Sequence, residues 1–315
     1  MDQAATQMLR ALRGTRSQVA FARRLGYRRN PVCDWEHARS FPTAEETLRA
    51  AQVVGVDVHE AFAGFATIEV GPPTTLDAAG LADWLSRLRG SRPLGEVAER
   101  TGVSRFVVSR WLAGQTRPRL PDFLRLVEAL TGRLSDWVAR LVPIEQVPAL
   151  RDSYERRVAS RRLAVDVPWS EAVVRVLETA PYAALPAHRP GWIADRLGID
   201  AQTEAACLQA LEQAGTVAWD GARYKASAPI TVDTRPAPEV VAALKGHWAR
   251  VGQERTAAPR PADLLSYNVI SLSRADLARL RELHLAYYRD VRALVAASEP
   301  VEVAALLNVQ LVTFE

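Results

Sequence analysis

At 315 residues the chain is long enough for two or more domains, each able to bury its own core. Hydrophobic residues make up 48% and charged residues 24%, the balance of an ordinary globular protein, and no apolar run approaches the roughly 20 residues that would cross a bilayer. The net charge is a modest +4, yet only Lys225 and Lys245 among the 40 basic residues are lysines, so what matters is where the arginines lie.

The opening segment MDQAATQMLRALRG lacks the apolar core and small-residue cleavage site of a secretory signal, so a cytoplasmic location is expected. Cys33 and Cys207 lie far apart with no CxxC partner, which argues against a disulfide framework or a thiolate zinc site. His37, His59, His188, His247 and His284 are scattered without metal-ligand spacing, and no metal or other cofactor is expected. Proline interrupts helical patterning at Val70 to Leu76, at Val142 to Pro148 and at Ala228 to Pro238, which marks candidate boundaries.

A shift of 76 residues lays the chain on itself without a gap. Leu12, Arg13, Gly14 and Arg16 fall on Leu88, Arg89, Gly90 and Arg92; Ala22, Gly26, Arg29, Val32 and Trp35 fall on Ala98, Gly102, Arg105, Val108 and Trp111; Pro42, Leu48 and Arg49 fall on Pro118, Leu124 and Arg125. The first two modules are therefore copies of one unit and should share one fold. In the second copy the pattern predicts helices over Leu81 to Leu88 and Leu94 to Thr101, a cap at Gly102, a helix opened by Ser104, and helices over Leu120 to Leu130 and Leu134 to Leu141. Val103, Val108 and Trp111 should face inward, with Ala98 at a close helix crossing.

Two short helices joined by a glycine-containing turn form the helix-turn-helix arrangement. Both copies, SQVAFARRLGYRRNPVCDWEHARSFPT and PLGEVAERTGVSRFVVSRWLAGQTRPR, resemble the Cro/repressor type of helix-turn-helix domain, with its small alanine, glycine turn, tryptophan and proline after the helix. That resemblance implies double-stranded DNA as a partner, with the third helix of each copy in the major groove. In the second copy it places Ser104, Arg105, Phe106, Ser109 and Arg110 at base edges, with Gln115, Arg117, Arg119 and Arg125 around them. The corresponding positions in the first copy are Arg28, Arg29, Asn30, Cys33 and Asp34, with Arg39 nearby and Gln18 where such domains often hold a backbone phosphate. Pro31 should sit in the first turn of that helix, and the acidic Asp34 either accepts from a cytosine amine or is repelled by phosphates. The second copy departs from the pattern with Pro93 and Leu94 at the start of its second helix, where the first has Ser17 and Gln18.

PGWIADRLGI, DAQTEAACLQALEQAGTV and AWDGARYKAS then predict helix, helix and a two-stranded hairpin turning at Asp220-Gly221, a winged-helix module with Ile193, Leu197, Ile199, Cys207, Leu208, Leu211 and Val217 as core. Its last helix carries Asp200, Glu204 and Glu212 and no arginine, so a structural or partner-binding role is expected. The final module predicts a strand over Tyr267 to Ser273, a long helix capped by Ser273 with the stripe Leu277, Leu280, His284, Tyr287, Tyr288, Val291, Leu294 and Val295, and a closing strand in AALLNVQLVTFE. Such a βαβ element is too small to bury its own sheet and needs a neighbour. The C-terminal half resembles a group of uncharacterised bacterial proteins in which a Cro/repressor-like or other N-terminal part is fused to a domain without an assigned role.

The expected fold is mainly α: helix-turn-helix domains over 1–70 and 77–142, each of five helices, a winged-helix module over 150–230 and a small α+β module over 239–315. No GxSxG, P-loop or dinucleotide motif suggests an enzyme. The leading reading is a nucleoid-associated, sequence-specific transcriptional regulator, with repression the simplest mechanism, dimerising through its C-terminal half. The alternative is a non-enzymatic scaffold whose bundles bind protein partners or whose C-terminal half senses a ligand.

Overall fold

The computed structural model describes residues 1–65, 70–227 and 238–314. The expected boundary at Ala228 to Pro238 lies outside them apart from its last residue, as does the end of the third expected domain. The chain divides into two compact units, Met1–Glu155 and Arg156–Glu315.

The first unit is helical throughout its described residues. Its helices are α1 (Asp2–Arg13), α2 (Gln18–Arg24), α3 (Val32–Glu36), α4 (Ala44–Val53), α5 (Val58–Ala63), α6 (Ala78–Arg89), α7 (Leu94–Thr101), α8 (Arg105–Leu112), α9 (Leu120–Thr131) and α10 (Leu134–Ala139), followed by a 3₁₀ turn and α11 (Pro148–Asp166), within which the unit ends. Four of the five helix pairs begin 76 residues apart, so the sequence repeat is a structural repeat. Local chemistry repeats with it. Gly14 and Gly90 end α1 and α6 at φ 61° and 55°, and Arg13 and Arg89 each donate to the carbonyl three residues on, that of Arg16 and Arg92.

The exception is α3. It ends where the repeat requires but starts three residues late, so Arg28, Arg29 and Asn30 lie in an irregular segment rather than on the helix. Pro31, expected inside the first turn, is instead the residue that caps the helix. The ring of Pro31 disfavours helical backbone at Asn30, and helix formation is postponed to Val32.

One continuous core runs through both copies. Trp84 of the second lies against Phe62 and Phe65 of the first, with centroids 4.9 and 6.3 Å away, and against Phe123. Trp137 meets both Phe62 and Phe123 at 5.6 Å. The junction has a further regularity. The Ala44 amide donates to the Pro118 carbonyl at 3.3 Å, and the Leu120 amide donates to the Pro42 carbonyl at 2.9 Å, with Thr43 opposite Arg119 in an antiparallel bridge. Shifting one bond by 76 residues and exchanging the copies generates the other. Ala44 and Leu120 are the first residues of α4 and α9, so each copy satisfies an amide that the other's helix leaves without an internal partner. In the same sense α1 packs on α9 while α6 packs on α4. The two copies are related by an internal two-fold.

The second unit takes the end of α11, then α12 (Ser170–Leu177), α13 (Ala180–Ala183), α14 (Trp192–Leu197), α15 (Ala201–Gln213), a hairpin of β1 (Val217–Trp219) and β2 (Tyr224–Ala226), α16 (Pro238–Ala257) and α17 (Arg274–Ala297). Its core is built from Val173, Val174, Tyr182, Ile193, Cys207, Leu208, Leu211 and Val217. Leu197 packs against this core half-buried, whereas Ile199, expected in it, is half-buried and not part of it. The helix, helix and hairpin succession expected over 190–227 is present.

The hairpin turn lies one residue later than the expected Asp220-Gly221. Val217 pairs with Ala226 and Trp219 with Tyr224, and the Asp220 amide donates to the Arg223 carbonyl at 2.9 Å, which leaves Gly221 and Ala222 as the loop. The Asp220 carboxylate accepts from the Ala222 and Arg223 amides and from Lys225 Nζ at 2.8 Å, so a side-chain turn reinforces the tight backbone turn. These bonds and the ammonium hold that carboxyl far below the usual carboxylate range.

The expected strands over Tyr267 to Ser273 and Ala304 to Glu315 do not form among the described residues. Their alternation of apolar residues is real, but an extended segment becomes a strand only when a neighbour takes its amides and carbonyls. Here Tyr267 is 90% and Phe314 91% exposed. The expected α+β module is therefore two helices flanked by irregular chain. Ser273 caps α17 as expected, its hydroxyl accepting from the Asp276 amide. The helix α16, unassigned in the sequence reading, is held by its His247 and Trp248 rings against Trp169, with centroids 5.4 Å apart in both pairs.

Candidate nucleic-acid interface

The helices α7 and α8 are joined by Gly102, Val103 and Ser104, with Gly102 at φ 69° and ψ 22°, where any side chain would be strained. Val97 and Val108 are fully buried and Trp111 nearly so, which fixes the rotation of α8. Val103 and Ala98 pack half-buried against the same core. The opposite face then has no choice but to meet solvent. Ser104, Arg105, Phe106, Ser109, Arg110, Gln115, Arg117 and Arg119 are all exposed, as the sequence reading requires of groove-facing positions.

Within this face, Phe106 is 69% exposed, with the Arg105 guanidinium 5.1 Å from its ring centre. Val107 beside it is also exposed. Neither Arg105 nor Arg110 has a carboxylate partner among the described residues. The surrounding arginines are more committed. Arg117 lies 3.6 Å from Glu45, Arg119 donates to the Phe41 carbonyl, and Arg125 is paired with both Asp122 and Asp2. The Glu45 and Phe41 partners belong to the other copy, so these arginines also sit on the junction.

The first copy is arranged differently. Arg28 and Arg29 are exposed ahead of α3, whereas Asn30 is half-buried with its side-chain oxygen shut away from solvent. Asp34 faces out but lies 3.5 Å from Arg39, so two expected contact residues partly neutralise each other. Gln18 donates from its side-chain nitrogen to Glu36 at 2.8 Å; one hydrogen of that amide is thereby engaged and one remains for an external acceptor.

Glu36 escaped the sequence reading. It is buried, takes a 2.5 Å bond from Arg13 Nε as well as the Gln18 bond, and its backbone carbonyl accepts from Arg10. Three helices are tied by one carboxylate. A signal was present, because Glu36 stands where the repeat has Leu112, and an acid at an apolar repeat position needs buried donors.

In the second unit Glu204, one of the three acids noted on α15, turns inward instead of facing out. It is 1% exposed and accepts from the Gly191 and Ala194 amides at the start of α14, with His188 Nε2 at 3.6 Å. Burial pushes the His188 imidazole below its usual range, and the Glu204 carboxylate opposes that shift. Asp200 caps α15 through the Thr203 amide. The outer face of α15 is thus less acidic than its composition suggests.

The two thiols also separate. Burial pushes the Cys207 thiol up to about 11, whereas Cys33 is half-exposed on α3, 3.7 Å from His37 Nδ1. A maleimide at pH about 8 is expected to modify Cys33 in the folded chain and to spare Cys207, as read by peptide mass. Equal labelling of both would mean that the second core opens freely.

Among the described residues no helix is long and apolar enough to cross a membrane, and no cluster of three or more His, Cys, Asp or Glu side chains could hold a metal ion. No curated protein and no solved structure matches the chain significantly. The family model for the domain of unknown function DUF4423 does match, over residues 155–314, which is just over half of the chain and nearly all of the second compact unit; the chain belongs to that family.

Proposed function

We propose that the protein is a sequence-specific DNA-binding transcriptional regulator, most simply a repressor, in which α2 with α3 and α7 with α8 act as helix-turn-helix pairs and the helix, helix and hairpin of the second unit as a winged-helix module. The exposed face of α8 carries the reading. Arg105 and Arg110 lack carboxylate partners there, and a rigid core holds them beside Ser109 and an aromatic ring that has no packing role. Arginine can bond two acceptors of guanine, serine either donates or accepts, and phenylalanine can cover a thymine methyl. Arg28 and Arg29 supply positive charge at the corresponding place in the first copy.

A salt titration of binding to duplex DNA tests this. With about four phosphates neutralised, affinity should fall roughly a hundredfold between about 50 and 200 mM monovalent salt. The same exposed Phe106 and Val107 would also suit a protein surface. Flat salt dependence, or no duplex binding, would favour that scaffold reading.

The second unit supports association of two chains. Leu283, Tyr287, Leu294 and Val295 on α17, and Tyr267, Val269, Val303 and Phe314 in the segments around it, are exposed well beyond what a monomeric surface usually carries. Sedimentation of the intact chain at micromolar concentration should give a dimer, and Leu294→Glu with Val295→Glu should return it to monomer. A wild-type monomer at those concentrations would remove dimerisation from the proposal.

A further inference from the structure

The internal two-fold says more about the DNA than that it is bound. Reciprocal bonds between the residues around Pro42 and Pro118, and the exchanged packing of α1 on α9 and α6 on α4, are the signature of an isologous interface: patch i meets j and j meets i. Such interfaces ordinarily join two identical chains. Here they join two unlike copies in one chain.

The place of the axis matters. From the end of α3 at Glu36 to Thr43 is seven residues, and from the end of α8 at Leu112 to Arg119 is seven again. Both reading segments therefore lead into the bridge by arms of equal length, each spanning at most about 24 Å. At the bridge lie Arg119, which donates to the Phe41 carbonyl, and close to it Arg117, beside Glu45, both exposed. Arms of that length allow the two reading segments to meet two neighbouring major-groove faces, whose centres lie about 34 Å apart along the duplex.

The reading segments are not alike. One offers Arg105, Phe106, Ser109 and Arg110 on an eight-residue helix. The other offers Arg28 and Arg29 ahead of a five-residue helix, with Asn30 drawn inward and Asp34 beside Arg39. Two identical half-sites would satisfy at most one of them.

Resting on the DNA-binding reading above, we infer that residues 1–155 act as a single-chain, asymmetric counterpart of a two-fold repressor dimer. The ligand is a composite site of two unlike half-sites, centred about one helical turn apart and read by one chain. Pairing of two chains through their second units would duplicate the composite site without making its two halves alike.

The test is a selection from a random duplex library with the full-length chain, repeated with Arg105→Ala plus Arg110→Ala and with Arg28→Ala plus Arg29→Ala. The expected product is a non-palindromic motif of two differing halves about 10 base pairs apart. The first variant should lose base preference in one half, the second in the other, and the mass of the complex should show one chain for each composite motif. An inverted repeat with that spacing, or loss of preference in both halves with either variant, would overturn the inference while leaving the DNA reading intact. Failure to enrich any motif, with salt-independent retention of duplex, would overturn the DNA reading itself.

Discussion

Replacing Arg105 and Arg110 together by alanine should weaken binding to a selected DNA site by about 2–4 kcal/mol, roughly thirty-fold to several hundred-fold, without measurable loss of stability. Both side chains are exposed and have no carboxylate partner among the described residues, so the folded chain loses no salt bridge when they are removed. Only the DNA complex should notice. If one of the pair contacts a phosphate, its loss also lowers the salt slope by about 1, whereas the loss of a base contact flattens sequence preference at one position. Titrations of wild type and variant against the selected site at several salt concentrations separate the two contributions. Equal affinity for the same sites would remove α8 from the interface.

Trp84→Ala should be the most damaging change to the first unit. The ring is 1% exposed and lies against Phe62, Phe65 and Phe123, so truncation leaves a cavity shared by both copies and costs about 3–5 kcal/mol. That is a large part of the stability of a typical domain. Because two of the three partners belong to the first copy, α1 to α5 should lose hydrogen-exchange protection along with α6 to α10, although the mutation lies in the latter. Protection retained in the first copy would show that the two copies fold as separate domains.

The repeat and its ten helices were legible because α-helical burial leaves a local record. Leu120, Phe123, Leu124, Val127 and Leu130 of α9 fall at the helical spacing of inward positions, and Gly14, Gly90 and Gly102 mark helix ends that require positive φ. The exposed face of α8 followed directly, since a helix whose inward residues are known has its outward residues determined too. Three features resisted this logic. The late start of α3 depends on what Pro31 does to Asn30, a neighbour effect that overrides the repeat. The inward turn of Glu36 depends on Arg13 and Gln18 from two other helices. The segments around α17 have the alternation of strands, but alternation cannot say whether a hydrogen-bonding neighbour exists.

By itself, then, the amino-acid order determined that the chain opens with two copies of one helical unit, roughly where the helices of the second copy lie, and which side chains of α8 are left to face outward. Those follow from short-range rules of spacing, capping and backbone freedom. Only the tertiary structure decided that the copies face one another across a two-fold, that Trp84 and Phe62 belong to one core, and that Arg117 and Arg119 each meet a partner in the other copy. The physical reason is that an apolar stripe records the need for burial but not its partner: Ala44 and Leu120 each require an acceptor for an amide, and nothing in the chain before folding states that each will find it in the other copy.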